Sequence, residues 1–296
     1  MAWIAGHKII TGLLALVVAS VGGVLGYLNW MFEEPGVPKV PSLAAHVAAS
    51  SVLLVSAHPD DEQLATGFLI RSGQDPKVKT AVLTGTRGEA GTQRPQVGRQ
   101  KDLGHIRKAE ALKNTWALGV ETHDVLDYPD SGLKYIPLET LTDEVRIRLL
   151  EHRPGLLVTF WPESGFSMHP DHRKMGLASE TAIRALRADP VDGYAGPTHI
   201  AYMLAPTRMM SRFAGENGRR VVANQPPANI AMPGEAWAKL RGWKIHASQE
   251  DYVQAAYGFP AWLIHRLYDK EFYYLIETGD IPSREDMAPI GEEDLP

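Results

Sequence analysis

The sequence predicts an α/β fold: a mostly parallel sheet with helices on both faces, preceded by one apolar helix of membrane-spanning length. Three observations predict it. Short apolar, β-rich runs alternate with segments of helical character, the order that builds parallel sheets from β–α–β units. Two of those runs end in turns dense in histidine and aspartate, where open sheets of this kind bind their ligands. Residues 9–32 carry no Asp, Glu, Lys, Arg or His side chain.

As a helix that uncharged stretch is roughly 36 Å long, enough to cross a hydrocarbon core of about 30 Å. Lys8 and the α-amino group precede it, and Glu33 and Glu34 follow. Tyr27 and Trp30 fall near its far end, where amphipathic aromatics favour the membrane interface. The charge bias places the N-terminus in the cytoplasm and the domain that follows on the extracytoplasmic side, as a single-pass membrane protein. A cleaved signal peptide is the alternative, with Val18-Ala19-Ser20 offering small residues, but the apolar run continues well past them. Gly22 and Gly26 form a small-xxx-small pair that suits helix packing in lipid. Residues 1–32 are therefore expected to form an anchor. Residues 33–48, with Pro35, Pro38 and Pro41, read as an extended linker.

Candidate strands follow at 51–56, 79–84, 122–126, 156–161 and 199–204, and candidate helices at 61–71, 101–118, 138–151, 171–186 and 235–240. One domain over 49–277 is expected, and an acidic tail over 278–296 that leaves it loosely ordered. The aromatics Tyr252, Tyr257, Phe259, Trp262, Tyr268, Phe272, Tyr273 and Tyr274 are expected in the core or at an interface, with sugar stacking or a membrane-side surface as further roles.

A formal charge of −5 and the lack of a basic, aromatic-studded cluster give no basis for nucleic-acid binding. With no cysteine there is no disulfide, thiolate ligand or cysteine nucleophile. No Gly-x-Gly-x-x-Gly follows the first strand and no Gly-x-x-x-x-Gly-Lys-Ser/Thr occurs, so the sequence gives no basis for a dinucleotide or P-loop site.

Instead the first strand runs into Ala57-His58-Pro59-Asp60-Asp61-Glu62, and the fourth is followed by His169-Pro170-Asp171-His172. A catalytic zinc takes three nitrogen or oxygen ligands and leaves a position open. Adjacent Asp60 and Asp61 cannot share one direction, so one can ligate while the other faces water as a general base. His172 can reach the same ion while His169 points into the cleft. An isolated His-Pro-Asp reads more simply as a capped turn; two, each ending a buried strand, favour a metal site.

These two motifs together resemble the zinc-dependent deacetylases of the PIG-L/LmbE family. Thr86-Arg87-Gly88-Glu89-Ala90-Gly91, Arg107-Lys108-Ala109-Glu110, Tyr128-Pro129-Asp130-Ser131-Gly132 and Lys244-Ile245-His246-Ala247-Ser248-Gln249 extend the resemblance in consistent order from residue 51 to 249. It implies a Rossmann-like domain with zinc, or alternatively ferrous iron, on His58, Asp61 and His172. It further implies Asp60 as general base, His169 as oxyanion stabiliser and proton donor to the leaving amine, and Asp171 orienting or charge-tuning His169. Glu89, Arg107 and Asp130 match positions lining the family's sugar site. One departure stands out: Ser167 falls where one branch carries an oxyanion-assisting tyrosine, and is too short to replace it. Arg107 has a plainer reading as an i,i+3 partner of Glu110, and Ser248 as the cap of a helix over 249–256.

The sequence thus predicts a membrane-anchored hydrolase that removes acetyl from an N-acetylated sugar or glycoconjugate, with a lipid-linked substrate as one form. Hydrolysis of another amide, and a non-catalytic carbohydrate-binding role, are the alternatives. A glycosidase is disfavoured, because neighbouring Asp60 and Asp61 cannot flank a glycosidic bond.

Overall fold

In the computed structural model residues 2–290 are described, with side chains from residue 10 onward. The chain opens with α1 (Ala2–Met31) and α2 (Leu43–His46), then alternates β1 (Ser51–Ser56), α3 (Thr66–Gly73), β2 (Lys79–Thr86), α4 (Leu103–Ala117), β3 (Thr122–Tyr128), α5 (Leu138–His152), β4 (Leu156–Phe160), α6 (Pro170–Ala188) and β5 (His199–Leu204). The second half adds α7 (Thr207–Phe213), α8 (Gly215–Ala223), β6 (Ile230–Pro233), α9 (Ala236–Ile245), α10 (Tyr252–Tyr257), α11 (Ala261–Leu267) and β7 (Lys270–Glu277).

The seven strands form one sheet in the order β3-β2-β1-β4-β5-β7-β6. The five expected strands are parallel to one another, with β1 between β2 and β4 (Val52 opposite Thr80 and Leu156). β7 and β6 close the far edge antiparallel. Every residue of β1 and β4 is buried, as expected of strands covered on both faces. The strand order runs outward in opposite directions from β1 and β4, so their carboxyl ends flank a topological switch point. Both histidine turns lie there.

Several expectations change. The helix expected over 61–71 is a 3₁₀ turn over Asp61–Ala65 followed by α3. Residues 247–249 form a 3₁₀ turn, so Ser248 caps no helix; α10 begins at Tyr252 and Ser248 instead bonds Glu110. The linker is held to the domain: Val40 N–H donates to Ala231 O at 2.9 Å, and Leu43 and Ala44 are buried. The tail is also tied down as far as it is described. Thr278 donates to Pro197 O, and the Arg284 guanidinium sits 4.1 Å over the Trp161 ring while pairing with Glu163 and Glu180. The acidic end, 291–296, lies outside the described residues.

Residues 10–31 of α1 form a segment long and apolar enough to cross a membrane, and residues 10–27 of it are exposed. At its end Met31 and Phe32 are buried in the domain, and α1 packs on α11. Lys8, which sets the expected charge bias, lies outside the described side chains.

Candidate metal centre and cleft

Immediately after β1, the chain folds back so that the Asp61 N–H donates to His58 O at 3.2 Å. This turn holds Asp60 at φ +101°, a backbone region non-glycine residues seldom adopt. The Asp61 carboxylate fixes the turn from within: Oδ2 accepts the N–H groups of Ala57 (3.0 Å) and His58 (2.7 Å). Oδ1 is left facing His172 Nε2 at 3.1 Å. Burial opposes its charge, but the facing imidazoles of His172 and His58 hold its pKa well below the usual carboxylate range.

The second motif is carried by α6, with His169 as N-cap and Pro170 at its first position. His169 Nδ1 accepts the Asp171 N–H. The helix can lie this close to β4 because residue 176 is glycine; a Cβ there would stand 2.3 Å from Phe160 O. His172 then stacks on the Phe160 ring, centroids 4.1 Å apart and planes within 7°.

The two ring orientations bear directly on the chemistry. His172 Nδ1 donates to Gly165 O at 2.9 Å, leaving the Nε2 lone pair free. His58 Nε2 faces two carboxylates, Asp130 Oδ1 at 3.2 Å and Asp171 Oδ2 at 3.3 Å, so it carries the proton and Nδ1 is free. Those two bare nitrogens point at each other across 3.1 Å, and Asp61 Oδ2 stands 3.6 Å from His58 Nδ1. Two lone pairs and a carboxylate facing one point require a positive charge between them. A proton alone can supply it: burial disfavours the imidazolium, but Asp130, Asp171 and Asp61 raise the His58 pKa to about 10. The donor set also fits a divalent metal, because ligands about 2.05 Å from a tetrahedral ion lie about 3.3 Å from one another. Outer carboxylates on a ligating histidine are the usual supporting shell. His169 lies close enough to make a second grouping with His58 and His172, all within 4.8 Å. Its Nδ1 is already spent on the Asp171 N–H, and an all-imidazole set leaves the Asp61 oxygen facing His172 unused.

Asp60 lies beside this centre with a different environment. Arg107 Nη2 donates to its Oδ2 at 2.9 Å, and its own N–H donates to Glu62 Oε2 at 2.9 Å. Burial raises the Asp60 pKa above the ordinary carboxylate value, as does neighbouring Asp61, while Arg107 opposes them. Burial, with His172 and His58 alongside, lowers His169 to about 4, so at neutral pH the ring is neutral. With Nδ1 accepting, its Nε2–H is the donor available to the cleft.

Asp171 is fully buried and its carboxylate bonds His58 rather than the ring of His169, on which it acts through its field. Arg107 does not pair with Glu110: it donates to Gly88 O at 2.7 Å and to Asp60, binding two loops together. Asp130 lines the cleft and also supports His58. Glu89 is exposed, accepts the Asp130 N–H at 2.9 Å and is not among the cleft-lining residues. Ser167 places its Oγ 3.4 Å from His172 Nδ1.

Sequence reasoning missed a buried network under Asp60. Glu62, which positions the Asp60 backbone, bonds His246 Nε2 and accepts from Asn114 Nδ2. Burial opposes the His246 charge and Glu62 raises its pKa. The signal was present in Glu62 and His246 of the quoted motifs, but nothing local joins residues 184 apart. Also missed was the apolar wall of the cleft. The cavity of about 650 Å³ runs from His58, Asp60 and His169 to Met209, Phe213, Trp243, Tyr257, Ile264 and Tyr268, from helices of the second half.

The model of the GlcNAc-PI de-N-acetylase family, PIG-L, matches residues 53–183, which hold every residue placed around the metal centre. A 1D-myo-inositol 2-acetamido-2-deoxy-α-D-glucopyranoside deacetylase of Thermobispora bispora is 33% identical over 213 residues, covering 64% of this chain and 69% of the relative. The chain belongs to the PIG-L family. It spans 50% to 64% of the length of several other curated relatives it matches. The N,N'-diacetylchitobiose deacetylase of Pyrococcus horikoshii shares the fold with a TM-score of 0.59 at 20% identity, covering 83% of this chain and 91% of that one. A 4-carboxy-2-hydroxymuconate hydratase of Pseudomonas putida shares it too, with a TM-score of 0.57 at 15% identity and 79% and 97% coverage. The PIG-L fold therefore does not fix the reaction, and function has to be argued from the site.

Proposed function

We propose that the protein is a membrane-anchored, zinc-dependent hydrolase that removes the N-acetyl group from an N-acetylglucosamine-type sugar or glycoconjugate. The observation that carries this is the pair of bare imidazole nitrogens, His58 Nδ1 and His172 Nε2, facing each other beside Asp61 with Asp60 next to them. An inositol 2-acetamido-2-deoxy-glucopyranoside and N,N'-diacetylchitobiose are the substrates in the names of the similar proteins.

His58, Asp61 and His172 would hold the ion, zinc by the two-imidazole, one-carboxylate donor set, with ferrous iron as the alternative. Bound there, zinc supplies Lewis acidity, polarising an amide carbonyl and acidifying water. Asp60, its basicity raised by burial, takes a proton from the attacking water and passes it to the amine nitrogen as the C–N bond breaks, releasing acetate and a primary amine; Arg107 fixes the orientation of its carboxylate. The His169 Nε2–H donates to the carbonyl oxygen as charge develops on it, an electrostatic contribution of several kcal/mol in such sites. The apolar wall receives the part of the substrate beyond the sugar. α1 would tether the domain on the extracytoplasmic face, where a lipid-linked substrate and the enzyme share a surface.

The test is release of primary amine and acetate from a panel of N-acetylglucosaminides with soluble and lipid aglycones. Activity is expected to vanish on chelation and return with zinc. Longer acids in place of acetate would favour hydrolysis of another amide, and tight binding without turnover a non-catalytic role; chelator-insensitive turnover would overturn the reading.

A further inference from the structure

We propose that the cleft rim formed by α7, α10 and α11 is a bilayer-docking surface, with Phe259 and Trp262 seated in the lipid interface beside α1. The proposal rests on the reading of α1 as a membrane anchor and adds a face of the domain that lies on the same membrane.

The geometry at the base of α1 carries it. Phe32, the residue after α1, stacks on Tyr268 with centroids 5.1 Å apart and meets Tyr257 at 6.4 Å. Arg208 of α7 covers the Trp30 ring at 4.3 Å and donates to Glu33 O, and Arg212 lies 5.1 Å from the same ring. The anchor therefore leaves the domain between α7 and α11 with no free spacer that would let the domain swing away. α11 packs directly on α1 and has seven residues, so nothing on it is more than about 10 Å along its axis from that contact. Where the helices turn outward they expose large apolar side chains: Trp262 is 61% exposed and Phe259 45%. Tyr27 and Trp30, at 48% and 41%, are exposed aromatics on α1 itself, the helix on which α11 packs.

A soluble surface seldom gathers exposed aromatics in one place, whereas ring side chains are favoured at the level of lipid headgroups. Arg208 and Arg212 add positive charge that suits anionic headgroups. The occupant is a bilayer because α1, if it spans, brings one to this face. Since Tyr257 and Tyr268 also line the cleft, docking would turn the cleft mouth toward the membrane surface, where an amphiphilic substrate resides.

The chain has no cysteine, so one introduced cysteine gives a unique labelling site. Full-length Phe259→Cys, Trp262→Cys, Val21→Cys and Ile147→Cys would each be spin-labelled and reconstituted into vesicles of phosphatidylcholine and phosphatidylglycerol in equal parts. Val21 lies within α1, and Ile147 on α5 across the sheet. The expected result is a ratio of oxygen to nickel-chelate collision rates above one at 21, 259 and 262 and below one at 147. A lipid-type ratio at 21 with a water-type ratio at 259 and 262 overturns docking and leaves the anchor standing. A water-type ratio at 21 overturns both. Labels at 259 and 262 shielded from both reagents would mean that protein covers the patch, and also overturn it.

Discussion

Replacing Asp61 by asparagine separates holding a metal from holding the fold. In the native turn Oδ2 accepts two backbone N–H groups and Oδ1 faces the His172 Nε2 lone pair at 3.1 Å. An asparagine in the same pose puts its carbonyl on the two amides and its NH₂ on His172. All three contacts survive, and the His172 lone pair gains a donor in place of a cation. The anionic corner of the ligand set is lost. Removal of an outer partner of a ligating histidine costs about 10–100-fold in metal affinity, up to about 2.7 kcal/mol. Asp130→Asn, which alters a partner of His58 Nε2, should fall in that range. Asp61→Asn removes a ligand and should weaken zinc by more than about 100-fold. Competition against a chromophoric chelator measures both, and thermal unfolding of the metal-free proteins checks the fold. Zinc affinity within tenfold of the parent would refute the ligand assignment. A markedly lower metal-free Tm would refute the hydrogen-bond placement.

Asp60→Asn should retain zinc while lowering kcat for acetyl release by about 10²–10⁴-fold, the usual worth of a general base; loss of zinc in this variant would put Asp60 among the ligands instead. Glu271 accepts from Gly67, Phe68 and Tyr273 and pairs with buried Lys239 at 3.0 Å. Glu271→Gln strands that ammonium and should cost about 3–5 kcal/mol in chemical unfolding, part of it recovered by adding Lys239→Met; a double variant no more stable than the single would refute the pairing argument. Burial, with Lys239 nearby, lowers His265 to about 3, and both its ring nitrogens are unpartnered. The unfolded chain binds that proton near pH 6.5 and the folded one does not, so stability is complete above that value and is lost as pH falls toward 3. Between pH 8 and pH 5 the loss is about 2 kcal/mol. His265→Phe should remove this slope; an unchanged difference between variant and parent at the two pH values would refute it.

The parallel half of the sheet was legible because β1 and β4 are fully buried runs, β2 and β5 nearly so, and β3 a β-rich run at the edge, all bounded by turns, and each signal is local. Those five strands come within a few residues of their expected ends. β6 was not legible: four residues ending in Pro233 carry no period. β7 was hidden because its run of Phe272, Tyr273 and Tyr274 reads equally as a core patch, and antiparallel pairing with β5 is set by tertiary contact. The tail misled by composition, since its charge hides Arg284, whose guanidinium finds buried Glu180.

At the site the same distinction between local and distant information holds. His58, Asp60, Asp61, His169 and His172 were visible as two turns, because each turn packs its chemistry into a few consecutive residues. What the turns could not show is how protons are assigned. The free Nδ1 of His58 depends on Asp130 and Asp171, and Asp60 is oriented by Arg107 and Glu62. Asp130 follows β3, Asp171 opens α6 after β4 and Arg107 lies on α4, so only Glu62 is local to the first turn and the rest meet it once the sheet has formed.

The candidate metal centre and the apolar wall of the cleft occupy different parts of the chain. His58, Asp60, Asp61, His169 and His172 all fall within 53–183, whereas most of the apolar wall begins at Met209, on elements that the family model does not reach. Changes in α7, α10 and α11 would, on the proposed reading, reshape what fits beyond the sugar without moving His58, Asp61 or His172, which lie across the cleft. α1 joins the second part, because it packs on α11. The wall that would select the substrate is thus the same wall that α1 would fix to a membrane, which ties the identity of the aglycone more closely to the lipid surface than to the metal.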